Sequence, residues 1–319
     1  MDTLEPEPND TANADMKQTG ARAENEPATH PAWQGYDALD FNLVLEGGAM
    51  RILFTAGVLD FLMLHHVFAK RVIGVSAGAL VGLTYACGLI GKSAFVNEKY
   101  CQDKRYLSMR NLLLTGNAVG RDFMFRQVPA ELEHIDYSAL ASSPTQLISV
   151  ASNLDLGEAD YHVYHDIEHE VPYLIASSSL PLASTIVQVD GKRLLDGGTC
   201  DSVPIVYSML TGEKKHVVIT THDATYVRKP DRSMPLMAKR YAAYPHYVER
   251  ARMRYYEYNR TYRALARMHE AGQAFVIMPP EPVTVATMET DPAKLRALYE
   301  QGYKTAMQAW PSLQKYLEL

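Results

Sequence analysis

Short uninterrupted apolar runs alternate with amphipathic stretches through the first half of the chain. FNLVL (41–45) is followed by MRILFTAGVLDFLMLHH (50–66), whose apolar positions 52, 53, 58, 59, 62 and 63 recur at helical spacing. RVIGV (71–75) follows, and then the small-residue-rich AGALVGLTYACGL (77–89). Apolar runs of this length bounded by glycine are the mark of buried parallel strands, and strand–helix–strand–helix order with short connections predicts a sheet with helices packed on it. Further strands are expected at 145–154, 160–164, 184–190, 192–196 and 215–220, with 92–141 mainly helical and polar. Beyond Pro230 the chain changes to a long basic, tyrosine-rich helical stretch, one more strand at 274–280, and a helix from about Asp291. The pattern predicts a three-layer α/β/α domain with a central, mostly parallel sheet over 41–225. A mostly helical region, 226–319, packs on it.

Residues 1–40 fall outside this pattern. The first thirty have almost no aliphatic content and carry −5 of the chain's formal −6, so the remainder is close to neutral. Such a segment buries too little apolar surface to offset its ordering entropy and is expected to be a disordered acidic tail. The start lacks the basic and apolar regions of a signal peptide, and no run of about 18 apolar residues occurs. Cys87, Cys101 and Cys200 are odd in number and show no CxxC spacing. Together these features predict a cytoplasmic chain with reduced thiols.

Three motifs carry candidate chemistry. Gly74-Val75-Ser76-Ala77-Gly78 fits the G-x-S-x-G elbow, directly after a strand and directly before a helix. There a serine can be held in a strained turn beneath the helix's N-terminal amides. The alternative meaning is a glycine-lined turn whose serine only caps the helix. Asp196-Gly197-Gly198 ends a strand, where α/β sheets present functional groups; alone it could be a simple β-turn. EGGAMR (46–51) joins the first strand to the first helix, with glycines that leave amides free for an anion. It lacks the P-loop lysine and does not fit G-x-G-x-x-G, so a nucleotide site is disfavoured. A Ser–Asp–His triad with His216 or His222 fits poorly, because too little sheet precedes Ser76 and His216 opens a strand.

In this order, EGGAMR, GVSAG, ASSSLPL (176–182) and DGG closely resemble the patatin-like phospholipase family, and 274–303 looks like its bacterial branch with a C-terminal region of its own. The resemblance implies a serine acyl hydrolase of lipid esters with Ser76 as nucleophile and Asp196 as base. It implies an oxyanion hole from the amides of Gly47, Gly48 and Ala49, with Arg51 supporting the loop. It implies no metal and no cofactor. The family's third loop glycine is Ala49 here, and the glycine after its arginine is Ile52. A left-handed Ala49 would cost about 1–2 kcal/mol, and this departure sustains a rival reading as a catalytically weak, lipid-binding or regulatory member.

Other features change the picture less. His162, His165 and His169 would not converge on a metal if 160–164 is a strand, and His65-His66 suit a helix C-terminus. Region 107–125 is a candidate lid. The arginines and tyrosines of 239–268 form either a solvated amphipathic helix or a surface for transient contact with an anionic membrane. Nucleic acid is not an expected partner of a chain this close to neutral.

Overall fold

The computed structural model describes residues 31–319. Eight strands form one sheet in the order β5-β6-β3-β2-β1-β7-β8, with β4 paired to β3. They are β1 (Leu39–Leu45), β2 (Ala69–Val75), β3 (Gln146–Asn153), β4 (Glu158–Val163), β5 (Val187–Val189), β6 (Lys192–Asp196), β7 (His216–Ile219) and β8 (Phe275–Ile277). The centre, β3-β2-β1-β7-β8, is parallel, while β4 and β6 run antiparallel to β3. β5 and β6 form a hairpin turning at Asp190 and Gly191, both with positive φ as a tight two-residue turn requires.

Alternation along the strands sorts side chains onto two faces. Phe41, Leu43, Leu45, Val72 and Leu147 face one core, and Val44, Ile73, Val75, Ile148 and Val150 the other. The first core is covered by α1 (Ile52–Leu64), α2 (Ala77–Ala86) and α5 (Ile167–Ser177). α3 (Lys92–Tyr100), α4 (Met109–Thr115) and a π-helical segment, Phe123–Leu132, lie between α2 and α5 in sequence. The second core is closed by α6 (Ile205–Leu210) and the long α8 (Pro245–Glu270), which follows α7 (Met234–Arg240).

The sheet continues past the boundary expected near 225, since β8 pairs with β7. α9 (Pro292–Leu317) packs on α1, which explains why α1 is apolar on all sides: residues 52–63 are buried between the sheet and α9. The contact is backbone to backbone. A Cβ at Gly57 would lie 2.1 Å from the Tyr299 carbonyl oxygen, and one at Gly302 would lie 1.9 Å from that of Phe54. Order begins earlier than expected at the N-terminus. Within 31–40, Trp33 Nε1 donates to the Ala86 carbonyl at 2.9 Å; the rest of the expected tail, residues 1–30, lies outside the described residues. No described helix is long and apolar enough to cross a membrane.

Asp60 on α1 is buried beneath α9, accepting hydrogen bonds from the Gly91 amide at 3.0 Å and Tyr299 Oη at 2.8 Å. Burial lifts its carboxyl to about 7 against those bonds. Its stabilising contribution is complete below the unfolded value of 3.8 and is lost as pH rises through about 7. Urea titrations across pH should therefore show wild-type stability falling by up to about 1.4 kcal/mol per pH unit in that window relative to Asp60→Asn, and a difference curve without slope would refute the assignment. In the same assay Gly302→Val should lose about 3 kcal/mol or more, because neither backbone can retreat.

Candidate active site

The register of β3 brings two distant motifs together. β2 pairs with it up to Val75↔Val150, and β6, arriving from the opposite direction, ends at Asp196↔Ala151. The two strands meet end to end along one edge of β3, so the residue after β2, Ser76, and the last residue of β6, Asp196, become neighbours. β3 also anchors both ends through hydrogen bonds. Ser177 Oγ donates to the Val150 carbonyl at 2.7 Å and accepts the Ser76 amide at 3.0 Å. Ser152 Oγ donates to the Asp196 carbonyl at 2.8 Å and accepts the Cys200 amide at 3.2 Å.

Ser76 sits in a turn that L-residues avoid, at φ 56 and ψ −128, immediately before α2. Conformations of this kind cost on the order of 1–3 kcal/mol and persist only where their surroundings impose them. Here the imposing parts are the flanking glycines. A Cβ at Gly74 would stand 2.5 Å from the Gly78 carbonyl oxygen, and one at Gly78 would stand 2.8 Å from that of Leu45. Strand and helix thus close on each other with no room for side chains.

Asp196 is 3% exposed. Its Oδ1 accepts the Gly198 amide at 2.8 Å, while its Oδ2 is buried with no hydrogen-bond partner among the described residues. Burial raises its carboxyl above the ordinary value; the Ser76 hydroxyl, the charge of Arg254, the Gly198 amide and the charge of Arg228 pull it back down. Gly197 lies directly on β3, where a Cβ would come within 2.1 Å of the Val150 carbonyl oxygen.

The loop after β1 completes the site. A Cβ at Gly47 would lie 2.7 Å from the Val75 carbonyl oxygen and 2.9 Å from Ser76 Cβ, so this loop runs directly against the elbow. The amides of Gly47, Gly48 and Ala49 donate no hydrogen bond to another described residue. Ala49 takes φ 46, the left-handed conformation that is costly for a residue with a Cβ. Arg51 lies at the first turn, with Nη1 3.4 Å from Thr287 Oγ1. The loop is held from below by Glu46, wholly buried, which accepts the Thr221 amide at 2.7 Å, Tyr262 Oη at 2.6 Å and the hydroxyl of Tyr258. Burial raises the Glu46 carboxyl, and those donors together with the charge of Arg51 oppose it.

Ser76 and Ala49 open into a cavity of about 240 Å3 walled largely by apolar side chains, including Leu80, Val96, Phe125 and Leu174. Leu107, Val119 and Met124, from the region expected to be a lid, line it as well, whereas Leu113 and Leu114 of α4 stand out in solvent at 82% and 71% exposure. An apolar cleft with a few convergent polar groups at one end is the usual form of a ligand site.

Neither candidate histidine joins the site by hydrogen bonding. His216 Nδ1 is 2.8 Å from Ser208 Oγ, and His222 stacks on Tyr226 at 3.6 Å, its imidazole pushed down to about 4 by burial, Arg51 and Arg228. His162 stacks on Tyr173, His169 pairs with Asp166, and no group of metal-ligating residues occurs among the described residues. His65 stacks on Phe61 at the end of α1. Sequence reasoning missed Ser152, Ser177, Glu46 and Arg254. The signal for the last lay in α8, where Tyr247, Ala251, Arg254, Tyr258, Tyr262 and Leu265 recur at helical spacing, placing one arginine inside an otherwise buried stripe.

Because Ala49 is already left-handed, Ala49→Gly should leave stability unchanged or raise it by up to about 1 kcal/mol, where Ala→Gly at ordinary φ destabilises. Chemical denaturation decides this, and a loss of 1 kcal/mol or more would contradict the strained conformation.

The family model for patatin-like phospholipase matches residues 43–208, just over half of the chain, and a domain of unknown function (DUF6363) matches 244–318. The uncharacterized protein YjjU of Escherichia coli K12 is 26% identical over 193 residues, 56% of this chain and 51% of that one, so the match spans about half of the relative's length. Among solved structures, VipD from Legionella pneumophila superposes with a TM-score of 0.49 at 13% identity, covering 93% of this chain and 73% of that one. The type III effector ExoU gives 0.33 at 15% identity, covering 86% and 53%. On the match over 43–208, the chain belongs to the patatin-like phospholipases, a family of lipid hydrolases.

Proposed function

We propose that the chain hydrolyses acyl esters of lipids through a Ser76–Asp196 dyad. The observation that carries this reading is an Asp196 Oδ2 with no partner among the described residues, beside a strained Ser76 that lines an apolar cavity. Asp196 Oδ2 takes the Ser76 proton as Oγ bonds to the ester carbonyl carbon, and the carbonyl electrons move onto oxygen. The amides of Gly47, Gly48 and Ala49 receive that oxyanion, with the N-terminus of α2 adding favourable potential. Collapse breaks the bond to the alcohol, which leaves with the proton from Asp196. A water then gives a proton to Asp196 and attacks the acyl-enzyme; the acid departs and Ser76 regains its proton. The cavity receives the acyl chain, with each buried CH2 contributing about 0.8 kcal/mol.

We place the protein in the cytoplasm on its three buried free thiols. We place its contact with a lipid surface at α4, where Met109, Leu113 and Leu114 are exposed beside the cavity wall. Residues 41–225 would then supply the nucleophile, the base and the oxyanion loop.

Hydrolysis of p-nitrophenyl esters of increasing chain length by wild type, Ser76→Ala and Asp196→Asn tests the dyad. Both variants should lose about 10³-fold or more in kcat/KM, and a fluorophosphonate should label the wild type at Ser76. A wild type as inert as Ser76→Ala on these esters and on phospholipids would overturn the reading in favour of a lipid-binding role. Replacing Leu113 and Leu114 together with serine should lower activity on anionic vesicles while sparing soluble esters; equal rates on vesicles would remove α4 as the contact.

A further inference from the structure

The segment 244–318 matches a domain of unknown function, yet its first helix reaches the site described above. A Cβ at Gly198 would lie 2.9 Å from Arg254 Nη2 and 3.0 Å from Asp196 Oδ1. The second glycine of the DGG motif is therefore the gap through which α8 presents a guanidinium to the Asp196 carboxylate. The two charges make no direct ion pair, but this geometry puts them within about 6 Å, close enough to favour the ionised carboxylate. One and two turns further along the same face, Tyr258 and Tyr262 donate to Glu46 beneath the Gly47–Ala49 loop. One helix thus touches the supports of both halves of the site.

Arg254 is a poor choice for stability alone. It lies half-buried within the apolar stripe of α8, its Nε is buried with no hydrogen-bond partner among the described residues, and desolvation with the neighbouring charge of Arg228 pushes it down to about 10. An apolar residue would fill such a stripe at lower cost. A cation kept there at a cost, beside a buried carboxylate with an unpartnered oxygen, has its explanation in that carboxylate.

We propose that residues 244–318 complete the catalytic site, with Arg254 as a positioning residue that keeps the Asp196 carboxylate charged and turned toward Ser76. The inference rests on the dyad proposed above. The groups facing Asp196 are Ser76 from the elbow, the Gly198 amide from its own turn, Arg228 from the loop after β7, and Arg254 and Tyr247 from α8. Asp231 faces the two arginines. Of these, Arg254 and Arg228 supply positive charge, and Arg254 is the one that shares the Gly198 gap with Oδ1.

Asp196 must be ionised to accept the Ser76 proton, so kcat/KM falls on the acid side as the carboxylate protonates. Removing the Arg254 charge raises that carboxyl further, and the acid limb moves to higher pH. The test measures kcat/KM for p-nitrophenyl butyrate, a neutral soluble ester, from pH 5 to 9 with wild type, Arg254→Gln and Arg254→Lys, alongside fluorophosphonate labelling rates over the same range. Arg254→Gln should shift the acid limb up by about one pH unit, losing about tenfold below it and much less above it, and Arg254→Lys should restore most of the shift. Circular dichroism and thermal melts identify a misfolded variant. In that case Arg254→Lys, which keeps the charge, is compared with Arg254→Met, which keeps the bulk: a limb shifted only in Met supports the proposal. An unmoved limb, or an equal loss at every pH in Gln and Lys alike, overturns it. An effect on KM for anionic esters alone also overturns it, since the arginine would then act on substrate. A wild type inert at every pH removes the dyad itself and this inference with it, whereas an active wild type with an unmoved Arg254→Gln limb removes only this inference.

Discussion

Everything in the site depends on two strands ending at consecutive residues of β3. β2 stops opposite Val150 and β6 stops opposite Ala151, so their ends abut on one ladder. A slip of one residue in either strand would turn its side chains to the opposite face and part Ser76 from Asp196. The register is secured by the cores above and below, with Ile148 and Val150 on one face and Leu147 and Ala151 on the other. It is secured again by Ser177 and Ser152, whose hydroxyls each bind one carbonyl and one amide at the junction. The chemistry is therefore placed by ordinary sheet packing, and the loops only finish it.

The core strands were legible because they are short apolar runs bounded by glycine, a pattern that survives without any partner in view. The elbow was legible for a related reason: Gly74 and Gly78 are demanded by backbone approach, which leaves a mark in sequence whatever the serine does. The mixed character of the sheet was harder to see. Nothing in LISVAS says that β3 takes one neighbour below Val150 and another above it, since pairing direction is set by tertiary contacts. Arg254 was hidden in the same way. Six arginines between 246 and 268 read as a solvated face, and only the phase of the helix separates the half-buried Arg250 and Arg254 from Arg252, Arg260, Arg263 and Arg267 outside.

Buried carboxylates recur at the structural joints. Asp60 lies where α1 meets α9, Glu46 where the first loop meets α8, and Asp196 where β6 meets the elbow. Burial raises all three, and each is offset by a different set of donors. Both oxygens of Glu46 accept hydrogen bonds from hydroxyls or an amide, while Asp60 takes an amide and a hydroxyl on Oδ2. Asp196 Oδ2 is buried with no hydrogen-bond partner among the described residues. In the proposed mechanism that oxygen is the one that takes the Ser76 proton.

The place of β1 in the sheet has a consequence for how the molecule is made. β1 comes first among the described strands, yet it lies inside the sheet, and one of its neighbours, β7, comes about 170 residues later. Until β7, α8 and α9 have left the ribosome, one edge of β1, one face of the sheet and the outer side of α1 have no cover. A growing chain that already holds Ser76 and Asp196 would still present apolar surface and an open strand edge, the two features that invite aggregation. The order of synthesis thus leaves Asp196 without Arg254, and Glu46 without Tyr258 and Tyr262, until α8 has emerged.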